Sequence, residues 1–592
     1  MKKILSIILL GAISMYGCGK KEGGSAGDYG LSKKNNVVWW QLSDIQRLNP
    51  YTSTDANAAY VQQEIWEALN FQNPRTLELM PGLASLPEIS ADHLTYTYTM
   101  NPAAHWSDGK PLTSEDVIFC FKAAMNPKVI NSQQLRNYLL TIDSVYNPGG
   151  DKSKVEFHLS KPYYAADQVL GGGYVLILPK HILDPKNLTD KCSWADLHNP
   201  TTKNPAVAEF ATWFETPEIG RDPKYQIGSG PYVYKEWVTF SHITLKKDPN
   251  YWAKDMVWHE SYPDELMYKT INDQNAALVA LKGKELDLID VLKPDQYVNQ
   301  MDTTKQPFLS KAILFYNAYT FIGWNNLNPL FSDKKVRRAL TMLVDRPKII
   351  HSIMKDITKP NDGPIMWTQP NYDSTIHQVG YNPDEAKKLL KEAGWEDTDG
   401  DGILDKVING KKTPFKFVFQ VNAGNEVRKQ VLLVIAEELR KAGIDANVTT
   451  FEWSVFLENT RNHNYDAAYG AWAGNASEDD IYQLWHSSQS KNKGSNWVSF
   501  RNDEADQIMA DTRTEFDKTK RYAMAKRLQE IFQEENPVTF LFAGPNYMGY
   551  QKRFDNVEFY HQRPCFDLRY WSIKGSGVSP KAGSPSTIKM VQ

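Results

Sequence analysis

The chain has 592 residues, with 67 Lys and Arg against 70 Asp and Glu, for a net charge of −3. This balance, with no basic run, argues against a nucleic-acid-binding surface, and the length calls for more than one domain or one large discontinuous one. The four cysteines, Cys18, Cys120, Cys192 and Cys565, are too few for a disulfide scaffold. Stability must therefore come from an apolar core, to which 17 Trp, 30 Tyr and 24 Phe contribute. A subset of those rings is available to line a ligand cleft.

Lys2 and Lys3 form a short positive start, followed by a nearly unbroken apolar run over 4–13. Ten residues cannot span a bilayer about 30 Å thick as a helix, but they suit a secretory signal. The run ends in Met15-Tyr16-Gly17-Cys18, which resembles a bacterial lipobox, so 1–17 are expected to be removed and Cys18 lipidated. Ordinary secretion with cleavage nearby is the alternative. Residues 18–34, rich in Gly, Lys and Ser, read as a flexible tether. The expected location is the cell envelope, lipid-anchored on the extracytoplasmic side.

The body of the chain reads as mixed α/β. Leu94, Tyr96, Tyr98 and Met100 alternate with threonines as in a half-buried strand. Thr113-Ser114-Glu115-Asp116 is a capping box ahead of an apolar helix over 117–124. Val336, Ala339, Leu340, Leu343 and Val344 repeat at helical spacing. Asn382-Pro383-Asp384 caps another helix, with Ala386, Leu389, Leu390 and Ala393 on its apolar face and Gly394 as its stop. Asp397, Asp399, Asp401 and Asp405 in Asp397-Thr398-Asp399-Gly400-Asp401-Gly402 and beyond follow the spacing of an EF-hand loop, although position twelve is Ile408 instead of Glu. A structural calcium and a plain acidic surface turn are both open; no other cofactor is expected.

The pattern over 415–472 is the most informative. It predicts a strand over 415–421, a helix over 426–442 ended by Gly443, a strand over 444–450, a short helix over 453–462 and a strand over 465–472. Such β-α-β-α-β units place strands in parallel with right-handed crossovers, and ligands bind beyond the carboxyl ends of such strands. The last of those ends is Trp472-Ala473-Gly474-Asn475. It offers an aromatic face, a glycine that permits close approach and an amide that donates and accepts. Packing of Trp472 under a loop is the alternative. Residues 574–592, rich in Ser, Gly, Pro and Lys, read as a disordered tail.

No His-Glu-x-x-His helix, Gly-x-Ser-x-Gly elbow or phosphate-binding loop appears, and the twelve histidines are scattered. The chain therefore reads as a non-enzyme.

The segment His105-Trp106-Ser107-Asp108-Gly109-Lys110-Pro111-Leu112-Thr113-Ser114-Glu115-Asp116-Val117 resembles the signature of family 5 extracellular solute-binding proteins, the oligopeptide-, dipeptide- and nickel-binding proteins of ABC importers. Further blocks follow in that family's order: Gly228-Ser229-Gly230-Pro231-Tyr232, Asp248-Pro249-Asn250-Tyr251-Trp252, Gly283-Lys284-Glu285-Leu286-Asp287, Val344-Asp345-Arg346 and Tyr381-Asn382-Pro383. The resemblance implies an α/β, two-lobed periplasmic-binding-protein-like fold with an inserted subdomain and a ligand cleft between the lobes. Lobe I would combine 35–58, 192–273 and 543–573, the insert would be 59–191, and lobe II 274–542. It also implies an importer's binding protein, monomeric, that holds a peptide or other small solute and delivers it to the permease's membrane subunits; an oligosaccharide, opine or metal chelate, or a receptor role, is the alternative. In peptide-binding members an aspartate of the Trp-x-x-Asp turn meets the ligand's amine. Here Asn475 stands in its place and cannot neutralise a charge. Glu478, Asp479 and Asp480 just downstream are available to compensate, or else form a solvated helix start. Tyr51, Thr52, Trp367 and Tyr547 complete the expected cleft residues.

Overall fold

The computed structural model describes residues 29–53, 55–256, 259–474, 480–491 and 494–578. The expected signal, Cys18, Asn475, Glu478, Asp479 and most of the tail lie outside the described residues.

Two large sheets organise the chain. The first has seven strands in the order Leu309–Leu314, Asn546–Gln551, Leu288–Ile289, Asn36–Gln41, Glu265–Thr270, His242–Lys247, Tyr232–Val238. Asn36–Gln41 runs parallel to Glu265–Thr270, with Asn36 opposite Glu265. Strands from the start, the middle and the end of the chain thus meet in one sheet, which makes this lobe discontinuous in sequence.

The pairing shifts the expected lobe limits. Leu288–Ile289 and Leu309–Leu314 fall within the span expected for lobe II but hydrogen-bond within the first sheet, because Trp39 pairs with Leu288 and Leu309 with Gln551. The end of the expected tether is also held to this lobe. Arg553 Nη1 donates to the carbonyls of Ser32 and Lys34 at 3.2 and 2.8 Å. Arg553 in turn forms an ion pair with Asp287 at 2.6 Å, both side chains 4% exposed. Asp287 also accepts from the Val38 amide at 2.8 Å, so it ties the first strand to the C-terminal segment.

The insert carries a four-stranded antiparallel sheet, Glu88–Ile89, Thr95–Thr99, Lys154–Leu159 and Ile142–Tyr146. Tyr96 and Tyr98 are buried, as their alternation predicts. The helix Ser114–Met125 packs on this sheet, and the Thr113 amide donates to Asp116 at 3.0 Å in the expected capping box.

The second sheet has the order Asp445–Phe451, Lys416–Asn422, Ala467–Ala473, Ala318–Trp324, Val538–Ala543. Its first three strands are parallel and are connected by the helices Glu426–Lys441 and Trp453–Arg461, as the β-α-β-α-β pattern predicts. The helices Lys334–Met342 and Pro383–Glu392 bury Val336, Ala339, Leu340, Ala386 and Leu390 in the same core. The chain passes between the two sheets at 315–317 and again at 544–545, and the Gly544 amide donates to the Ala318 carbonyl at 2.9 Å. Two adjacent crossings of this kind are the connection a hinge requires. Cys120, Cys192 and Cys565 are buried free thiols.

Candidate ligand-binding cleft

Side chains from both lobes converge at the crossings. Tyr316 stands in the first crossing. From the second lobe comes Arg428, in the first turn of Glu426–Lys441, beyond the carboxyl end of Lys416–Asn422. Its Nη1 donates to Asn422 Oδ1 at 3.0 Å, and its guanidinium lies 5.2 Å from the Tyr469 ring centroid. From the first lobe comes Arg563, whose Nε donates to Tyr60 Oη at 2.8 Å. The Tyr60 ring lies 4.8 Å from Trp39, and Trp39 Nε1 donates to the buried Asp290 at 3.0 Å.

The Tyr316 hydroxyl is raised from its ordinary pKa by burial, while Arg563 and Arg428 pull it down, so both cations act on one point. Burial lowers the pKa of Arg428. Asp290 is pushed up to about 6 by burial, against its hydrogen bond from Trp39 and the nearby Arg563. The two guanidiniums donate to Asn422 and Tyr60, both neutral. Two cations that both act on one hydroxyl, with Asp290 offsetting part of the Arg563 charge, suit an anionic group on a ligand.

The expected residues separate into two sets. Trp472 is half-buried at the end of Ala467–Ala473, opposite Tyr319, and the Gly474 amide donates to the Asn317 carbonyl at 2.8 Å, beside the first crossing. Trp367 is half-buried next to Phe315, at 5.4 Å, with Lys359 Nζ 4.6 Å from its ring centroid. Its own Nε1 is buried without a hydrogen-bond partner among the described residues. Those three stand at the crossings.

Tyr51 and Tyr547 sit in the apolar cores. Tyr51 is 2% exposed and donates to the Leu176 carbonyl at 2.7 Å, packed against Phe214. Tyr547 is 4% exposed, in the core against Tyr297. Thr52 is also buried, its amide bonded to the Asn49 carbonyl at 3.2 Å. Tyr51 and Tyr547 each belong to an apolar core, which encloses a ring that the resemblance puts at the cleft. Asp480 is no solvated helix start either: its Oδ2 accepts from Tyr163 Oη at 2.8 Å and from Arg513 Nε at 2.7 Å.

Sequence reasoning misses Arg428 and Arg563. Arg428 does leave a signal. A cation in the first turn of a helix opposes the helix dipole, and a residue placed against that preference has another reason to be there.

Asp397, Asp399 and Asp405 bring one carboxylate oxygen each within 4.8 Å of one another. Asp401 points elsewhere, accepting from the Ile403 amide at 2.8 Å. Lys412 Nζ lies 2.7 Å from Asp399 and 3.2 Å from Asp405. The oxygen donors suit calcium, but Lys412 already supplies a positive charge to two of them.

Two sheets joined by adjacent crossings, with opposed side chains between them, define a two-lobed solute-binding protein. The model of bacterial extracellular solute-binding proteins, family 5, matches residues 78–495, and the chain belongs to that family. It is 30% identical over 581 residues to the oligopeptide-binding protein AppA of Bacillus subtilis, covering 96% of this chain and 98% of the relative. The structure of that AppA in complex with a nonapeptide superposes with a TM-score of 0.75 at 28% identity, over 91% of this chain and 98% of that one. An oligopeptide-binding protein of Thermus thermophilus complexed with a pentapeptide shares the fold, with a TM-score of 0.76 at 21% identity, over 93% and 99% of the two chains. No helix among the described residues is long and apolar enough to cross a membrane.

Proposed function

We propose that this chain captures peptides in the cleft between its lobes and hands them to the membrane subunits of an ABC importer, while held to the membrane by lipid on Cys18. The observation that supports a peptide is the pair Arg428 and Arg563, one from each lobe, which both lower the Tyr316 pKa and donate to Asn422 and Tyr60. A ligand carboxylate between them would bond to both lobes and so favour the closed arrangement. The likeness to the oligopeptide-binding protein AppA supports the same class.

A thermal-shift panel tests it, with free peptides, their C-terminal amides, oligosaccharides and metal chelates. A ligand at 100 times its Kd stabilises by about 2.7 kcal/mol. Free peptides should raise the melting temperature and the amides should do so less. A response to oligosaccharides or chelates alone would replace the peptide reading. For the anchor, Cys18→Ser should move the chain from the membrane fraction to the soluble one; an unchanged distribution would remove the lipid from the account.

A further inference from the structure

A cavity of about 330 Å³ opens on the first lobe's side of the cleft, and Tyr60 and Arg563 border it. Its other charged groups are Glu64, Glu67, Asp567 and Arg569, and His259 also lines it, with Nδ1 3.4 Å from Glu67 and 2.7 Å from the Tyr251 hydroxyl. All but one of these are matched. Arg569 and Asp567 form a two-bond pair, Nε to Oδ1 at 2.9 Å and Nη2 to Oδ2 at 2.6 Å. Glu67 accepts from Trp252 Nε1 at 2.9 Å and from the Tyr251 hydroxyl. Glu64 is left over: its Oε2 is buried and has no hydrogen-bond partner among the described residues. A carboxylate in that position is costly unless a partner arrives.

We propose that this cavity is a side subsite of the cleft that receives a cationic group of the bound solute, an ammonium or guanidinium, with Glu64 as its counter-ion. The proposal rests on the peptide reading and narrows it to ligands that carry a positive group as well as a carboxylate. The groups facing Glu64 are Arg569 and Asp567 from the C-terminal segment and the hydroxyls of Tyr232 and Tyr268 from the first sheet. Burial, opposed by Arg569 and reinforced by Asp567, pushes the Glu64 carboxyl up to about 8. An entering cation favours the ionised form, so binding should release a proton.

The test uses the full chain, freed of bound ligand and offered a randomised hexapeptide mixture in which norleucine is the neutral counterpart of lysine. Captured peptides are read by mass spectrometry, with free and with N-acetylated mixtures. Enrichment of Lys and Arg about tenfold over norleucine, lost in Glu64→Gln, is the expected result, and identifies a side chain as the cation. Loss of capture on acetylation, without side-chain enrichment and relieved in Glu64→Gln, identifies the α-amine instead. Peptides captured with neither preference, or a preference unchanged in Glu64→Gln, would overturn the subsite while leaving peptide binding intact. Failure to capture any peptide would overturn both. A preference missing from the unsubstituted chain decides the matter without the variant.

Discussion

Asp290, which accepts from Trp39 on the first lobe's side of the cleft, is 7% exposed, and burial lifts its pKa from 3.8 to about 6. Between those values the folded chain holds a proton that the unfolded chain has lost, so stability falls as pH rises through that window. Above pH 6 the penalty is complete, about 2–3 kcal/mol. Asp290→Asn keeps an oxygen to accept from Trp39 Nε1 and removes the charge. Its unfolding free energy should exceed the original's by about 2 kcal/mol near pH 7, and match it where the carboxyl is protonated in both states, below the unfolded value of 3.8. Denaturant titrations at neutral and at acid pH check this, and equal stability at pH 7 would show that burial does not penalise the Asp290 carboxylate.

At the scale of elements, periodicity and caps are enough where contacts are local. The helices Glu426–Lys441 and Trp453–Arg461 and the strands around them fall within two residues of their expected limits. Each turn there is set by its own residues, such as Asn425, which caps Glu426–Lys441 by accepting from the Arg428 amide. The allegiance of Leu288–Ile289 and Leu309–Leu314 is not legible, because it is decided by pairing with Asn36–Gln41 and Asn546–Gln551, far away in sequence. The same holds for Tyr51 and Tyr547, whose burial depends on distant partners. Packing of the second sheet shows the effect at one glycine. A Cβ on Gly470 would lie 2.5 Å from the Phe321 ring and 2.7 Å from Trp497, so the small residue is what lets those rings lie flat beside the strand that carries Trp472.

Across the whole molecule, the insert and the second lobe are in direct contact. Tyr163 Oη, from the insert, donates to Asp480 Oδ2 at 2.8 Å, and Arg513 Nε donates to the same oxygen at 2.7 Å. The Tyr164 amide donates to the Arg513 carbonyl at 2.9 Å, and Asn137 Nδ2 to Gln489 Oε1 at 2.8 Å. The His93 ring stacks on Phe516 at 4.2 Å. Asp480 and Arg513 are 9% and 7% exposed, so the bond from Tyr163 is shielded from water. The insert shares one apolar core with the first lobe, so movement of the second lobe away from them breaks this bond, whereas the Asp480–Arg513 pair lies within the second lobe and survives. Tyr163→Phe therefore removes a contact that separation of the lobes would break. A hydrogen bond to a charged group contributes about 1.5–3 kcal/mol, which is roughly a tenfold to hundredfold change in the closed population at equilibrium. Because apparent affinity scales with the fraction already closed, binding of the solute should weaken, by up to about that factor where the open form comes to dominate, and small-angle scattering of the ligand-free chain should show a larger radius of gyration. Unchanged scattering and affinity in Tyr163→Phe would mean that the contact follows closure without stabilising it.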